Sequence, residues 1–135
     1  MRAAHAECRG RRRGPVRFLQ AQDQAAACAG SDIVVNLVGI LAEHGRQNFR
    51  TIHEVGARTI AAAAKAADAQ QFIHLSALGA SPHAGSRYGR SKAAGEAAIR
   101  QVFPGATILR PSVVFGPDDN FFNQFGTLAS HFPVL

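Results

Sequence analysis

The stretch that decides the fold is IVVNLV, residues 33–38, a run of apolar and mainly β-branched residues interrupted only by Asn36. Ser31 and Asp32 precede the run and Gly39 follows it, so turn-forming residues bound it on both sides. A short apolar run without polar alternation is typical of a strand in a parallel sheet. The pattern therefore predicts a strand over residues 33–38 that is covered on both faces.

Helical and strand patterns alternate on both sides of this run. The predicted elements in chain order are a strand at 16–20, a helix at 23–29, the strand at 33–38, a helix at 46–67, a strand at 72–76, a helix at 88–102 and a strand at 107–110. Such alternation predicts βαβ units and a parallel sheet. The expected class is α/β, a Rossmann-type doubly wound sheet that binds ligands at the carboxyl ends of its strands.

The net charge of +6 is concentrated at one end of the chain. Residues 1–17 contain six arginines and one acid, whereas the rest is nearly neutral. No aromatic residue is interleaved with these arginines, so stacking on bases has no support. We expect residues 1–15 to be a basic, disordered tail and the protein to have no specific nucleic-acid partner.

The cysteines and the hydropathy pattern exclude several other classes of protein. Cys8 and Cys28 are not at metal-ligand or C-x-x-C spacing, which predicts two reduced thiols and no metal site. No run of 18 apolar residues is present, so we expect no transmembrane segment. We expect a cytoplasmic location, with peripheral association with the inner membrane as the alternative.

Tyr88 and Lys92 are four residues apart on a predicted helix and therefore share a face. A tyrosine ionises near pH 10, and ionisation near neutrality requires about 4 kcal/mol of preferential stabilisation of the anion. One ammonium about 4 Å away supplies roughly that amount at an effective dielectric constant near 20. The pair is thus a candidate general acid/base, with Lys92 also free to hold a ligand hydroxyl. The alternative is an ordinary surface pair.

The sequence around this pair resembles a known family. YGRSKAAGE at 88–96 resembles the catalytic helix of extended and atypical short-chain dehydrogenases/reductases, the NAD-dependent epimerase/dehydratase group. RPSVVFGP at 110–117 is similar to the segment of that group which passes the nicotinamide, and Gly56 resembles the glycine of its preceding long helix. NLVGIL at 36–41, HLSALGA at 74–80 and FGPDDNFFN at 115–123 are similar to the family of the NAD(P)H-binding accessory subunit of respiratory complex I, alpha-subcomplex subunit 9.

This resemblance covers about residues 16–135 and implies a cofactor, a partner and a set of site residues. The cofactor is NAD(P), and the partner beyond it is a respiratory or membrane-associated complex. The implied catalytic residues are Tyr88, Lys92 and Ser76. The implied cofactor-binding residues are Asn36, Val38, Gly39, Ser76, Tyr88, Lys92, Pro111, Ser112 and Val114.

Two positions depart from the pattern of the catalytic members. Ala77 aligns with the Ser or Thr that polarises the substrate oxygen, so Ser76, one residue earlier, either substitutes for it or caps its own loop. His53 stands where many relatives have Asn, and it either contributes to the site or faces solvent.

A larger departure is the missing glycine-rich loop. Among the thirteen glycines no two are two or three residues apart, so the G-x-x-G-x-x-G phosphate loop of the family does not occur. We expect residues 16–117 to form a partial NAD(P)-binding domain that lacks the first two strands, with 33–38 as an exposed apolar edge. Residues 118–135 would begin a truncated substrate-side segment, marked by Phe121, Phe122, Phe125, Phe132 and Leu135.

Three interpretations of function follow. The first is a non-catalytic NAD(P)-binding protein related to the complex I accessory subunit, with cofactor binding weakened by truncation. The second is an active NAD(P)-dependent oxidoreductase or epimerase that uses Tyr88 and Lys92 on a sugar or isoprenoid-like substrate. The third is a non-functional gene fragment.

Overall fold

The computed structural model of the protein describes residues 20–45, 47–112 and 114. Three strands form a parallel sheet in the order β1-β2-β3: β1 is Ile33–Asn36, β2 is Gln71–Leu75 and β3 is Thr107–Leu109. Asn36 lies opposite His74, and Leu75 lies opposite Leu109. The predicted α/β class with a parallel sheet is confirmed. The strand predicted at 16–20 lies outside the described residues except for Gln20, which precedes the first helix.

The first and third helices begin and end within two residues of their predicted bounds. The described helices are α1 (Ala21–Cys28), α2 (Ala57–Ala66) and α3 (Arg87–Val102). The Ser86 hydroxyl caps α3 by accepting the Gly89 amide at 3.0 Å. The helix predicted over 46–67 differs at its start, because residues Arg50–Gly56 form a π-helical segment that continues directly into α2. We call these seven residues the π segment.

The apolar core lies between the sheet and the three helices. Phe72 of β2 and Ile99 of α3 are fully buried at its centre. Alanines supply much of the rest, and their small side chains let the helices approach the sheet closely. The core residues are Cys28, Val34, Ala57, Ile60, Ala61, Ala64, Ala69, Phe72, Ile99 and Ala106.

The opposite face of the sheet is open within the part of the chain that the structure describes. Along β1 exposed and buried residues alternate, and Ile33 and Val35 are 51% and 46% exposed. The prediction that residues 33–38 are covered on both faces is therefore wrong for the described residues. A continuous apolar run indicates two faces that favour burial, but the described helices cover only the face with Val34.

The strand also ends earlier than predicted, at Asn36. The Asn36 side chain accepts the main-chain amide of Val38 at 3.1 Å, which turns the chain away from the sheet. None of the described helices is both long and apolar enough to cross a membrane.

Candidate functional site

The helix-facing side of the sheet changes from apolar to polar toward the carboxyl ends of its strands. Six polar or charged side chains are buried there, each no more than 5% exposed. Burying so many polar groups is costly unless each is hydrogen-bonded. We call this set the polar layer: Asn36, His53, His74, Ser76, Lys92 and Glu96.

Lys92 of α3 reaches across this layer to the sheet. Its Nζ donates a hydrogen bond to the Leu75 carbonyl at 2.7 Å. Burial lowers the pKa of this ammonium, and the nearby Glu96 carboxylate partly offsets that effect. A Cβ atom at Gly39 would lie 3.7 Å from Nζ, so the loop after β1 passes directly over the lysine. The ammonium has three N–H donors, of which the Leu75 carbonyl takes one.

Tyr88 lies one helical turn before Lys92 and packs against aromatic neighbours. Its ring contacts Phe49 and His53 edge-on, with centroid distances of 6.0 and 5.5 Å. Burial raises the pKa of the phenol, which is opposite to the direction expected from an adjacent ammonium. The difference has a structural reason, because the Lys92 ammonium is directed to the Leu75 carbonyl.

Ser76, at the end of β2, is held by an ion pair whose carboxylate is buried and whose guanidinium is half-exposed. Its Oγ donates to Glu96 Oε1 at 2.5 Å, and Arg110 donates to both oxygens of the same carboxylate. Burial alone would raise the pKa of Glu96, but the hydrogen bonds from Arg110 and Ser76 lower it below its usual value. The hydroxyl proton of Ser76 is therefore used within the protein, and a catalytic role for Ser76 stays a prediction.

Asn36 and His74 form a second polar pair across β1 and β2. Because Asn36 Oδ1 accepts the Val38 amide, its Nδ2 group must donate to His74 Nδ1, at 3.1 Å. His74 is therefore neutral with its proton on Nε2. Burial, reinforced by the Lys92 charge, lowers the pKa of His74 to about 4. Asn36 was predicted to bind the cofactor, and the structure shows it shaping the loop that carries Val38 and Gly39.

His53 of the π segment is fully buried, so the solvent-facing alternative for this residue is wrong. Its Nε2 accepts the Ile40 amide at 3.0 Å, and its Nδ1 lies 2.8 Å from Ser91 Oγ. Burial first, and the Lys92 charge second, lower the pKa of His53 to about 4. The sequence held a signal for this position, because His53 extends the buried stripe of Gly56, Ile60 and Ala64 at helical spacing.

The remaining predicted cofactor-binding residues lie at the same edge of the sheet. Pro111, after β3, accepts the Leu78 amide at 3.1 Å and so joins the loops after β2 and β3. Ser112 and Val114 are exposed beyond it. Sequence reasoning did not identify the pairing of Glu96 with Arg110, although both residues stand in the motifs it used. In the described ranges no group of three or more His, Cys, Asp or Glu could hold a metal ion.

Fold and site together define a class of protein. A parallel sheet with a polar layer at the carboxyl ends of its strands is typical of a Rossmann-type dinucleotide-binding domain. Tyr88 and Lys92 share one face of α3 beside this layer. The family model described as NAD(P)H-binding matches residues 15–120. The chain belongs to this NAD(P)H-binding family.

Two curated proteins are similar to this chain in sequence. Over 95 residues the chain is 44% identical to mitochondrial NADH dehydrogenase (ubiquinone) 1 alpha subcomplex subunit 9 of Mus musculus, covering 70% of this chain and 25% of the relative. Over 106 residues it is 37% identical to the ceramide reductase of Caulobacter vibrioides, covering 78% of this chain and 33% of the relative. The chain thus spans a quarter to a third of the length of these relatives.

Two solved structures share the fold. The dTDP-4-dehydrorhamnose reductase of Clostridium acetobutylicum superposes with a TM-score of 0.70 at 17% identity. A short-chain dehydrogenase/reductase superfamily protein of Agrobacterium tumefaciens, solved with bound NAD, gives 0.61 at 21% identity. Each match covers 84% of this chain and 47% of the other. The Rossmann-type fold and the resemblance to short-chain dehydrogenases/reductases and to the complex I subunit are confirmed.

Proposed function

We propose that this chain is a non-catalytic NAD(P)-binding relative of the complex I accessory subunit, and that it holds the nicotinamide-ribose half of the cofactor with weak affinity. The observation that carries the proposal is the state of Ser76. Its hydroxyl donates to Glu96, which Arg110 also holds, so this hydroxyl has no proton left to donate to a substrate oxygen. The raised pKa of the Tyr88 phenol also opposes proton transfer near neutrality.

The donor set fits the ribose of a nicotinamide nucleotide. Lys92 has N–H donors beyond the one used by Leu75, and the glycine at position 39 leaves the space beside the ammonium free of a side chain. Tyr88 supplies a hydroxyl on the same face of α3. By contrast, the sequence has no closely spaced glycines to line a pyrophosphate with main-chain amides. Binding should therefore depend on the nicotinamide half and gain little from the adenine half.

A nucleotide titration tests this proposal. Tyr88 is the single tyrosine and the chain has no tryptophan, so quenching of tyrosine fluorescence reports binding beside α3. We expect NADH and reduced nicotinamide mononucleotide to bind with similar, weak affinity, and Lys92→Met to abolish both signals. Lys65→Met is the matched control, because Lys65 is the second lysine and lies exposed on α2. Micromolar NADH binding with much weaker mononucleotide binding, or no saturable binding of either, would overturn the proposal.

A second candidate function is that of an active reductase. It is favoured by the intact Tyr88 and Lys92 pair and by the 37% identity to a ceramide reductase. Under this alternative Ser76 would have to leave Glu96 when substrate binds. Oxidation of NADPH by the chain in the presence of ceramide-like, isoprenoid or sugar carbonyls, lost in Tyr88→Phe, would favour this candidate over the non-catalytic one.

The proposed partner and location are supported by the relatives alone. We propose peripheral association with a respiratory complex, because the murine relative is by name a mitochondrial NADH dehydrogenase subunit. Comigration of the tagged chain with such a complex on a native gel is the expected result. A chain that migrates only as free protein in extracts containing the intact complex would contradict this partner.

A further inference from the structure

We propose that His53 is a positioning residue that ties the loop after β1 to the Tyr88 helix and so shapes the nucleotide site. This inference rests on the proposed function, because it concerns the same site. It follows from one continuous chain of hydrogen bonds that crosses three elements of the fold. The chain runs from the Ile40 amide through His53 and Ser91 to the Tyr88 carbonyl.

The proton positions in this series of hydrogen bonds are fixed by the Ile40 amide at one end and the Tyr88 carbonyl at the other. A main-chain amide can only donate, so His53 Nε2 accepts from Ile40 and carries no proton. The Ser91 hydroxyl has one proton, which it donates to the Tyr88 carbonyl at 2.7 Å. His53 Nδ1 must therefore donate to Ser91 Oγ. The imidazole is neutral with its proton on Nδ1, and each of its nitrogens has a single possible role.

The loop after β1 depends on this imidazole. Two of its main-chain amides are held by side chains, Val38 by Asn36 and Ile40 by His53. Gly39 lies between these two amides and over the Lys92 ammonium. Its neighbours in the loop give little packing support, since Leu37 and Leu41 are 61% and 86% exposed. Loss of the His53 bond would therefore free the loop where it approaches Lys92.

The backbone of His53 packs directly against α3. A Cβ atom at Gly95 would lie only 2.0 Å from the His53 carbonyl oxygen, so α3 approaches the π segment more closely than any residue with a side chain allows. The ring cannot shift along α3 without breaking this contact. The imidazole is consequently a fixed spacer between Ile40 and Ser91.

A ligand-free measurement tests the positional part of the inference. His53→Phe keeps an aromatic ring but removes both hydrogen bonds, and His83→Phe makes the same change at an exposed histidine. We expect hydrogen exchange at the Ile40 amide to accelerate by about tenfold or more in His53→Phe, while the Phe72 amide of β2 is unchanged. Nitrogen-15 spectra of the wild type should show His53 with its proton on Nδ1. The opposite tautomer, or unchanged exchange at Ile40, would overturn the inference.

A binding measurement tests the functional part. We expect the affinity for reduced nicotinamide mononucleotide to fall by about five- to tenfold in His53→Phe, as for one lost hydrogen bond, and to be unchanged in His83→Phe. Ser91→Ala removes the acceptor of Nδ1–H and the donor to the Tyr88 carbonyl but keeps the bond between His53 and Ile40, and it serves as the second variant if His53→Phe does not fold. Normal affinity in a folded variant with a released Ile40 amide would overturn the inference. Absence of binding by the wild type would instead overturn the proposed function.

Discussion

Lys92 and Tyr88 occupy the same face of α3 but differ in what surrounds them. The lysine is buried with a main-chain carbonyl as its partner, whereas the tyrosine is half-buried between aromatic rings. Within the described residues the Tyr88 hydroxyl has no hydrogen-bond partner, so it is available to a ligand. These surroundings support the proposed role of holding a ligand rather than moving a proton.

The ionisation of Tyr88 can be measured directly, since no other residue of the chain is a tyrosine or tryptophan. Because burial raises the pKa of the phenol, we expect ultraviolet absorbance to show tyrosinate forming only above pH 10, the usual midpoint. In urea the midpoint should return to about 10. A midpoint below 10 in the folded chain would show that the Lys92 charge dominates.

Removing the charge of Glu96 should destabilise the protein. In Glu96→Gln the Arg110 guanidinium loses its carboxylate and the Ser76 hydroxyl loses a charged acceptor. We expect the free energy of unfolding, measured in urea, to fall by about 2 kcal/mol. This is less than for fully buried pairs, because the Arg110 side chain is 48% exposed. Glu43→Gln is the control: its pair with Arg87 is at the surface and should contribute less than about 1 kcal/mol. Equal effects of the two variants would contradict the larger contribution of the pair between Glu96 and Arg110.

Among the elements, the π segment shows most clearly what sequence could not predict. Apolar spacing predicted a helix over 46–67, and the strand and helix bounds of β2, α3 and β3 were within one residue of those observed. The local sequence of 50–56 has no feature that distinguishes π from α winding. The winding coincides with a contact from a distant residue, Gly95, against the His53 carbonyl.

Dependence on contacts between residues distant in sequence also explains which site residues could be predicted. Tyr88 and Lys92 were predictable because a fixed spacing on one helix places them together. The partners of His53, by contrast, come from the loop after β1 and from α3, thirteen and thirty-eight residues away. Such contacts are decided by tertiary packing, and one sequence shows only that His53 extends a buried stripe.

Gly95→Ala should destabilise the protein, although a change from glycine to alanine in a helix usually stabilises it. Alanine in place of glycine normally stabilises a helix by up to about 1 kcal/mol. Here the new methyl group would overlap the His53 carbonyl, and we expect a loss of about 1–3 kcal/mol, as for an overpacked core. Gly105→Ala is the control, because nothing lies within 4 Å of the added atom. Urea unfolding of both variants checks the prediction, and a stabilised Gly95→Ala would refute it.

Across the whole molecule, the space between sheet and helices is divided into two halves. The amino-terminal half of the sheet contributes to the alanine-rich core, and the carboxyl-terminal half to the polar layer. Two of the six histidines lie in that layer, and both are neutral. The stability of the fold is therefore linked to pH through groups that belong to the site.

We expect stability to fall as the pH is lowered from about 6.5 to about 4. In the folded chain His53 and His74 have pKa values of about 4, whereas in the unfolded chain both titrate near 6.5. The unfolded state therefore binds more protons in this window, and full titration costs about 3 kcal/mol per histidine.

Urea unfolding midpoints at several pH values measure this loss of stability between pH 6.5 and 4. The loss should be smaller in His74→Asn. Glu96 adds to the loss from about pH 4.3 downward, because the unfolded chain takes up its proton near that usual value whereas the folded chain has a depressed pKa. A stability that is flat between pH 6.5 and 4 would contradict the neutral histidines.

The open face and edge of β1 should make the 135-residue chain self-associate. Ile33 and Val35 expose apolar side chains on a strand that, within the described residues, pairs only with β2. We expect concentration-dependent sedimentation that Val35→Lys reduces, with Val55→Lys, an equally exposed position in the π segment, as control. A wild type that stays monomeric at high concentration would contradict the prediction.

The contact between Gly95 and His53 also bears on how a saturation mutagenesis of this chain would be interpreted. Position 95 should tolerate no replacement, and Gly89 should score similarly, because a Cβ atom there would lie 2.9 Å from the Gly79 carbonyl oxygen. Both positions are within seven residues of Tyr88, and neither contributes a reactive group. Substitutions within the motif at 88–96 would thus fail for steric reasons as often as for loss of a functional group. A map of mutational fitness alone would therefore overstate the size of the binding site.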